Sequence, residues 1–403
     1  MNEFSCLHMF DHLVTKLSEL EGKTVLVRSD FNVPLGDDGK VDSYEAWRID
    51  QGLHTIMWLR DHGAKVVVLS HIGRKKDESL RPIAEYINQK IACGFVPEVV
   101  GERVASMVAR MGNGTVLLLE NVRSDQREVQ NDISIAFEWA SFADFYVNDA
   151  FSVAHREHAS VVGLPTLLPS YVGIQFSHEV EHLSRVHEPK KPLVLIIGGL
   201  KFATKLALID AYAEQADTVI VGGALAHPIF YAQGFEIGDS AMDEKVDVSH
   251  LLQLPNLQVP SEVVIERGFE IHSIPIGEVQ IDDVIVDAGY EYIHSLKKII
   301  ESAGTILWNG PLGFYEDDYI EGSLELVGLL QESKAYKVVG GGDTVTLLRK
   351  YDLAEAFDFV STAGGAMLDY LVDGSLPAIE ALEKSWEKKK QETDMSSLGS
   401  EAE

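Results

Sequence analysis

Residues 193–205 read LVLIIGGLKFATK, and this stretch decides the fold class. Leu193 to Ile197 are all large and apolar, a run too short for a helix and without the alternation of a strand that has one wet face. It fits a strand covered on both faces, as in a parallel sheet between layers of helices. Gly198 and Gly199 end it, and in open α/β sheets ligands settle beyond the carboxyl ends of the strands.

The same pattern recurs on either side. TVLVRSDF (24–31), AKVVVLSH (64–71), TVLLLEN (115–121) and DFYVNDAF (144–151) precede it, and TVIVGG (218–223), TILWNG (305–310), YKVVGGGD (336–343) and DFVSTAGG (358–365) follow it, with helix-like stretches between. The early strand ends carry Asp30, Asn32, His71, Arg74, Glu120, Arg123, Asn148 and Asp149, whereas the later ones carry glycines. One mouth is therefore polar and cationic, and the other resembles a set of phosphate cradles. Between them, Ser177 to Pro192 places Val180, Leu183 and Val186 at helical spacing before two prolines, which predicts a connecting helix and hinge. From Trp386 the chain turns charged and then small and polar, which predicts a frayed tail.

Length and composition bound the function. The 403 residues suffice for two or three domains, and 46% hydrophobic with 24% charged residues is ordinary globular composition. A net charge of −29 has the wrong sign for nucleic acid or an anionic membrane surface. Cys6 and Cys93 alone exclude a disulfide framework and fit a reducing cytoplasm. The first twenty residues hold no secretory signal, and no apolar run reaches the ~18 residues of a membrane span.

Three glycine-rich turns carry candidate chemistry. In GGLKFATK, Lys201 and Lys205 are four apart and share a face if helical, either binding anionic oxygens with the nearby backbone N–H groups or standing as two solvated lysines. In GGGDT (340–344) the glycines permit close backbone approach, and Asp343 either orients Mg²⁺ or caps a helix. STAGGA (361–366) repeats the strand-to-turn pattern, while the absence of a GxxxxGK[ST] loop disfavours a P-loop enzyme. In the first half, Arg48, His71, Arg74, Arg123, His155 and Arg156 stand out as cations that could converge on one anion, though each alone reads as a surface ion pair.

Taken together, these segments resemble phosphoglycerate kinase from about Lys23 to Leu382. The resemblance rests on VRSDFNVPL (27–35), SHIGR (70–74), LLLENVR (117–123), VNDAF with AHREHAS (147–160), GGLKFATK, WNGPLGFYE (308–316), GGGDTVT and STAGGA, in the family's order. It implies two doubly wound parallel-sheet, Rossmann-like α/β domains facing a cleft and joined by a hinge helix. Their expected extents are 1–186, with 379–403 returning to it, and 187–378. It also implies a cytoplasmic, monomeric kinase that moves a phosphoryl group reversibly between ATP and 3-phosphoglycerate by domain closure, giving ADP and 1,3-bisphosphoglycerate with Mg²⁺.

By the same resemblance, Asp30, Asn32, Arg48, His71, Arg74, Arg123, His155 and Arg156 hold the phosphoglycerate. Gly199, Lys205, Gly222, Gly223, Asn309, Pro311, Glu316, Gly341, Gly342, Asp343 and Thr344 hold the nucleotide, with Asp343 near the metal. Arg48, Lys201, Gly341 and Gly365 are the expected catalytic positions, and Lys201 matches the lysine that stabilises the transferring group. The sequence departs from the pattern at Lys75, Ser124, Ser152, Val153, Tyr290 and Ala363, and Asp243 to Gly289 is hard to match. A related phospho-carboxylate kinase and a non-catalytic binding paralogue are the alternatives.

Overall fold

The computed structural model describes residues 9–75, 77–200, 202–243 and 247–400. The chain divides into two compact units, one running to Glu181 and resuming at Asp373, the other from His182 to Val372.

The first unit is built on β1 (Thr24–Ser29), β2 (Lys65–Leu69), β3 (Cys93–Val96), β4 (Val116–Leu119), β5 (Phe145–Asp149) and β6 (Ser170–Val172). They form one sheet in the order β3-β4-β2-β1-β5-β6, every pair parallel. Alternate residues of the apolar runs feed two cores. Val25, Val27, Val66, Val68 and Leu118 pack with Ile49, Leu53 and Ile56 of the helix Ala46–Asp61, and Leu26, Val67, Leu69, Leu117 and Tyr146 pack with Ile135 and Trp139 of the helix Ile133–Ala140. Burial on both faces is why these strands read as continuous apolar runs.

The second unit contains β7 (Leu193–Ile197), β8 (Thr218–Val221), β9 (Leu257–Gln258), β10 (Glu262–Arg267), β11 (Glu270–Pro275), β12 (Val284–Ala288), β13 (Thr305–Asn309), β14 (Tyr336–Gly340) and β15 (Phe359–Val360). Its six-stranded parallel sheet has the order β15-β14-β13-β7-β8-β9. In each large sheet the chain reverses its direction of travel beside the first strand, between β1 and β5 and between β7 and β13, so each sheet has a switch point. A separate antiparallel sheet, β11-β10-β12, occupies much of the stretch that resisted matching.

The expected connecting helix is present as Ile174–His187, and Val180, Leu183 and Val186 are buried. It starts three residues before Ser177 and ends ahead of Pro189, as the backbone restriction before proline favours. The expectation of a frayed tail from Trp386 is wrong. Pro377–Ser400 is one helix, and Trp386 is 7% exposed. Its indole Nε1 donates to the Ser170 carbonyl at 2.8 Å, and its ring stacks on His12 with centroids 4.3 Å apart. The Ala378 N–H, in the same helix, donates to the Ala154 carbonyl at 3.0 Å. Leu382 and Trp386 are one turn apart on a buried face, a pattern masked by the charged residues around them. Among the described residues, no helix is long and apolar enough to cross a membrane.

Trp386→Ala removes a buried indole and its hydrogen bond, and should lower the free energy of urea unfolding by about 3 kcal/mol. A loss under about 1 kcal/mol would mean that the C-terminal helix contributes little to the first unit.

Candidate active site

In the first unit, the loop after β1 is tied to its neighbours by side chains. The Asp30 carboxylate accepts from Arg48 Nη2 at 2.8 Å and Ser152 Oγ at 2.6 Å through one oxygen, and from the Asn32 N–H at 3.1 Å through the other. Burial alone would raise this carboxyl, but Arg48, with the Ser152 and Asn32 bonds, holds it below the usual carboxylate range. Asn32 Oδ1 accepts from the Gly73 N–H at 2.8 Å, and Arg123 Nη1 donates to the Gly73 carbonyl at 2.6 Å. Three loops, after β1, β2 and β4, are thereby locked together.

Cations gather on this frame. Arg28, wholly buried in β1, donates through Nε to Ser160 Oγ at 3.0 Å and through Nη2 to His71 Nδ1 at 3.1 Å. A guanidinium only donates, so His71 Nδ1 is the acceptor and the ring proton sits on Nε2. Burial and the field of Arg28 push the His71 pKa well down, which keeps the ring neutral. Behind them, the buried Glu128 accepts from Ser160 N at 2.8 Å and Oγ at 2.6 Å, giving Arg28 a countercharge. Burial, then Arg156, then Arg28 lower Arg123 to about 10, and burial with Arg28, Arg123 and Arg156 lowers His158 to about 4. Arg123 Nη2 is buried without a hydrogen-bond partner among the described residues. Arg156 Nε donates to His155 Nε2 at 3.2 Å. Arg74 is exposed and has no hydrogen bond or ion pair among the described residues.

The second unit holds a cavity of about 440 Å³ at the β7/β13 switch point. Gly199, Lys205, Gly223, Asn309, Pro311, Glu316, Gly341 to Thr344 and Gly365 line it. Gly222 does not, and packs instead behind Leu312, whose Cδ2 a Cβ would approach to 2.7 Å. Lys201 lies outside the described residues, and the helix Phe202–Tyr212 carries Lys205. The Lys205 ammonium donates to the Gly198 carbonyl. The Gly310 N–H donates to Thr344 Oγ1 at 2.9 Å, tying the β13 loop to the helix Gly342–Lys350 after β14, and Asn309 Nδ2 is buried without a partner among the described residues.

Asp343 is exposed at the start of the helix Gly342–Lys350 and makes no capping hydrogen bond, so the helix-cap alternative is not what the structure holds. No group of three or more His, Cys, Asp or Glu among the described residues could hold a metal by itself. Away from the glycines the lining is apolar, with Phe230, Val263, Ile285, Leu312 and Phe314. The arrangement can take a flat apolar group at one part and anionic oxygens at the other.

Several of these residues were not singled out from the sequence. Arg28 has a readable signal, a cation inside the apolar run TVLVRS, and His158 and Ser160 lie inside the quoted AHREHAS stretch, whereas Glu128 has none. Ala363 is buried and does not line the cavity.

A phosphoglycerate kinase family model matches residues 14–374. The phosphoglycerate kinase of Pseudothermotoga lettingae is 37% identical over 392 residues, spanning 92% of this chain and 98% of that protein. That of Caulobacter vibrioides is 38% identical, spanning 91% and 98%. Among solved structures, phosphoglycerate kinase from Coxiella burnetii superposes with a TM-score of 0.80 at 33% identity, covering 92% of this chain and 98% of that one. The Pyrococcus horikoshii phosphoglycerate kinase gives 0.83 at 27% identity, covering 93% and 99%.

Asp287, on the cavity wall, offers a pH test. Its carboxylate accepts from the Gly322 N–H at 2.9 Å and the Ala288 N–H at 2.8 Å, yet burial raises its pKa to about 7. A folded pKa above the unfolded one means that the folded state holds the proton more tightly. Stability from this group is therefore full below about pH 4 and is lost as the pH rises through about 7. Comparing urea unfolding of wild type and Asp287→Asn between pH 4.5 and 8, the wild type should lose about 3 kcal/mol more than the variant. Parallel pH profiles would show that Asp287 ionises as freely folded as unfolded.

Proposed function

The chain belongs to the phosphoglycerate kinase family, and from that premise we propose that its two sites divide one reaction between them. The reaction is reversible phosphoryl transfer between ATP and 3-phosphoglycerate, giving ADP and 1,3-bisphosphoglycerate. The first unit takes the phosphoglycerate through Asp30, Asn32, Arg48, His71, Arg74, Arg123, His155 and Arg156. The second takes the nucleotide. The observation that carries this division is the buried Arg123 Nη2 with no partner, set among Arg28 and Arg156 in a chain of net charge −29. Like charges gathered against the sign of the whole molecule favour a small, strongly anionic ligand there, and guanidinium forks suit phosphate and carboxylate.

The nucleophile is a carboxylate, already deprotonated, so catalysis needs alignment and charge neutralisation rather than a base. Lys205, Asn309 and the turns at Gly341 and Gly365 offer an ammonium, an amide and backbone N–H groups to phosphate oxygens. The Asp343 carboxylate, exposed, uncapped and beside these glycines, suits a magnesium ion, which needs few protein ligands when phosphates and water supply the rest. The bound ion would neutralise charge on the phosphates. Substrates held on separate units must be brought in line, and closure is the proposed route.

The direct test is an assay of ADP formation dependent on 3-phosphoglycerate, run beside a panel of other phospho-carboxylates. ADP release with none of them would refute the acceptor assignment, and preference for another would reassign it. Lys201→Ala should cut turnover about 10²- to 10³-fold with little change in nucleotide affinity, as expected for a cation acting on charge that develops during transfer. Near-normal turnover would remove Lys201 from that role. Arg156→Ala should raise the KM for 3-phosphoglycerate and leave the Kd for MgADP unchanged, and a matching loss of nucleotide affinity would place Arg156 elsewhere.

A further inference from the structure

One polar group in the cavity is not used by the phosphate-binding features. His227 opens the helix His227–Ala232, is 4% exposed and lines the cavity. Its Nδ1 lies 2.7 Å from the Ala241 carbonyl oxygen. A carbonyl only accepts, so Nδ1 carries the ring proton and Nε2 presents a lone pair, with no hydrogen-bond partner among the described residues. Burial lowers the pKa of the ring and keeps it neutral, so Nε2 stays an acceptor. The ring is also held in place. Ala241 follows Ser240, whose Oγ accepts from the Ile285 N–H at 2.8 Å, which joins His227, Ala241 and Ile285 into one wall.

Phe230, Val263, Ile285, Leu312 and Phe314 give the apolar part of the lining no side-chain hydrogen-bonding atom. Asp287 is already engaged by the Gly322 and Ala288 amides, and Thr344 by the Gly310 amide. His227 Nε2 is thus a fixed acceptor without a partner among the described residues, beside the apolar part of the lining, and once a ligand shuts out water such an acceptor selects one with a donor to give.

We propose that His227 reads the base of the nucleotide, its Nε2 accepting a hydrogen bond from the 6-amino group of adenine, so that the protein selects 6-aminopurine over 6-oxopurine nucleotides. This rests on the reading of the cavity as the nucleotide site. A 6-oxo group sets a second acceptor against the Nε2 lone pair and leaves both desolvated and unpaired.

Equilibrium binding to the full chain tests it, with MgADP, MgIDP and the magnesium complex of N6,N6-dimethyl-ADP as probes. IDP replaces the 6-amino donor with a carbonyl acceptor and places a proton on N1, whereas the dimethyl compound keeps N1 as it is in ADP and has no N–H to give at position 6. The wild type should bind ADP about tenfold more tightly than either, and His227→Phe, which keeps an aromatic ring but removes the acceptor, should bring the three within about twofold. Equal affinities in the wild type overturn the proposal without needing any variant to fold. A preference that survives in a folded His227→Phe overturns it as well. If no nucleoside diphosphate binds the wild type, the nucleotide assignment of the cavity fails and this inference with it, a result distinct from tight but unselective binding.

Discussion

A Cβ on Gly310 would lie 2.1 Å from the Gly198 carbonyl oxygen, one on Gly198 would lie 2.2 Å from that of Pro311, and one on Gly223 would lie 2.6 Å from the Gly199 nitrogen. At the β7/β13 switch point, the loops that follow three strands cross with bare backbone against bare backbone. No side chain fits in the crossing, and Gly310, at φ +97°, also holds a backbone conformation that other residues rarely adopt. The Lys205 ammonium reaches the Gly198 carbonyl only because the crossing is this thin. The cavity exists for the same reason, since side chains here would fill the space that the glycines leave. A widened crossing would separate Lys205 and Asn309 from the N-terminus of the Gly342–Lys350 helix, and the polar end of the cavity would lose its convergence.

The first unit solves a different problem. Its switch-point loops are joined by side chains, Asp30 to Arg48 and Ser152, Asn32 to Gly73, Gly73 to Arg123, rather than by close backbone. That frame holds Arg28, Arg123 and Arg156 within one another's fields, an arrangement that lowers the pKa of Arg123 and leaves one of its nitrogens unmet. Glu128 offsets only part of this from behind, through Ser160 and the field it exerts on Arg28. On the proposed reading, an anion bound there relieves this crowding of like charge. Binding strength at such a site comes from repulsion relieved as much as from contacts formed.

Legibility in the sequence followed burial. Strands covered on both faces, such as Val25 to Leu26 and Leu193 to Ile197, print continuous apolar runs, and their glycine or charged ends mark the switch points. The antiparallel sheet prints no such run, because β11 alternates between exposed and half-buried residues and Phe269 at its turn is fully exposed. The C-terminal helix hid its buried Leu382 and Trp386 among lysines and glutamates, so a face was mistaken for a tail. Within the site, charged residues at strand ends were visible, but Glu128 and His158 come from segments with no strand to point at them. Their role depends on the buried Arg28, which a strand pattern alone assigns to the core.

Ser152 shows how a departure from the family pattern acts when it falls on this frame. Its hydroxyl donates at 2.6 Å to the same Asp30 oxygen that Arg48 holds at 2.8 Å, while the Asn32 amide occupies the other oxygen. On the proposed reading, a substrate hydroxyl approaching Asp30 meets a carboxylate already carrying three donors. It must displace the Ser152 hydroxyl or share the oxygen with it, and neither changes the charge aimed at the transferring group. The consequence falls on acceptor binding rather than on the chemical step, since an interaction present before and after transfer alters affinity without altering the barrier between bound states. A frame built from side chains can thus absorb an added hydroxyl by rearranging one hydrogen bond, whereas the glycine crossing of the second unit has no room for even a methyl group.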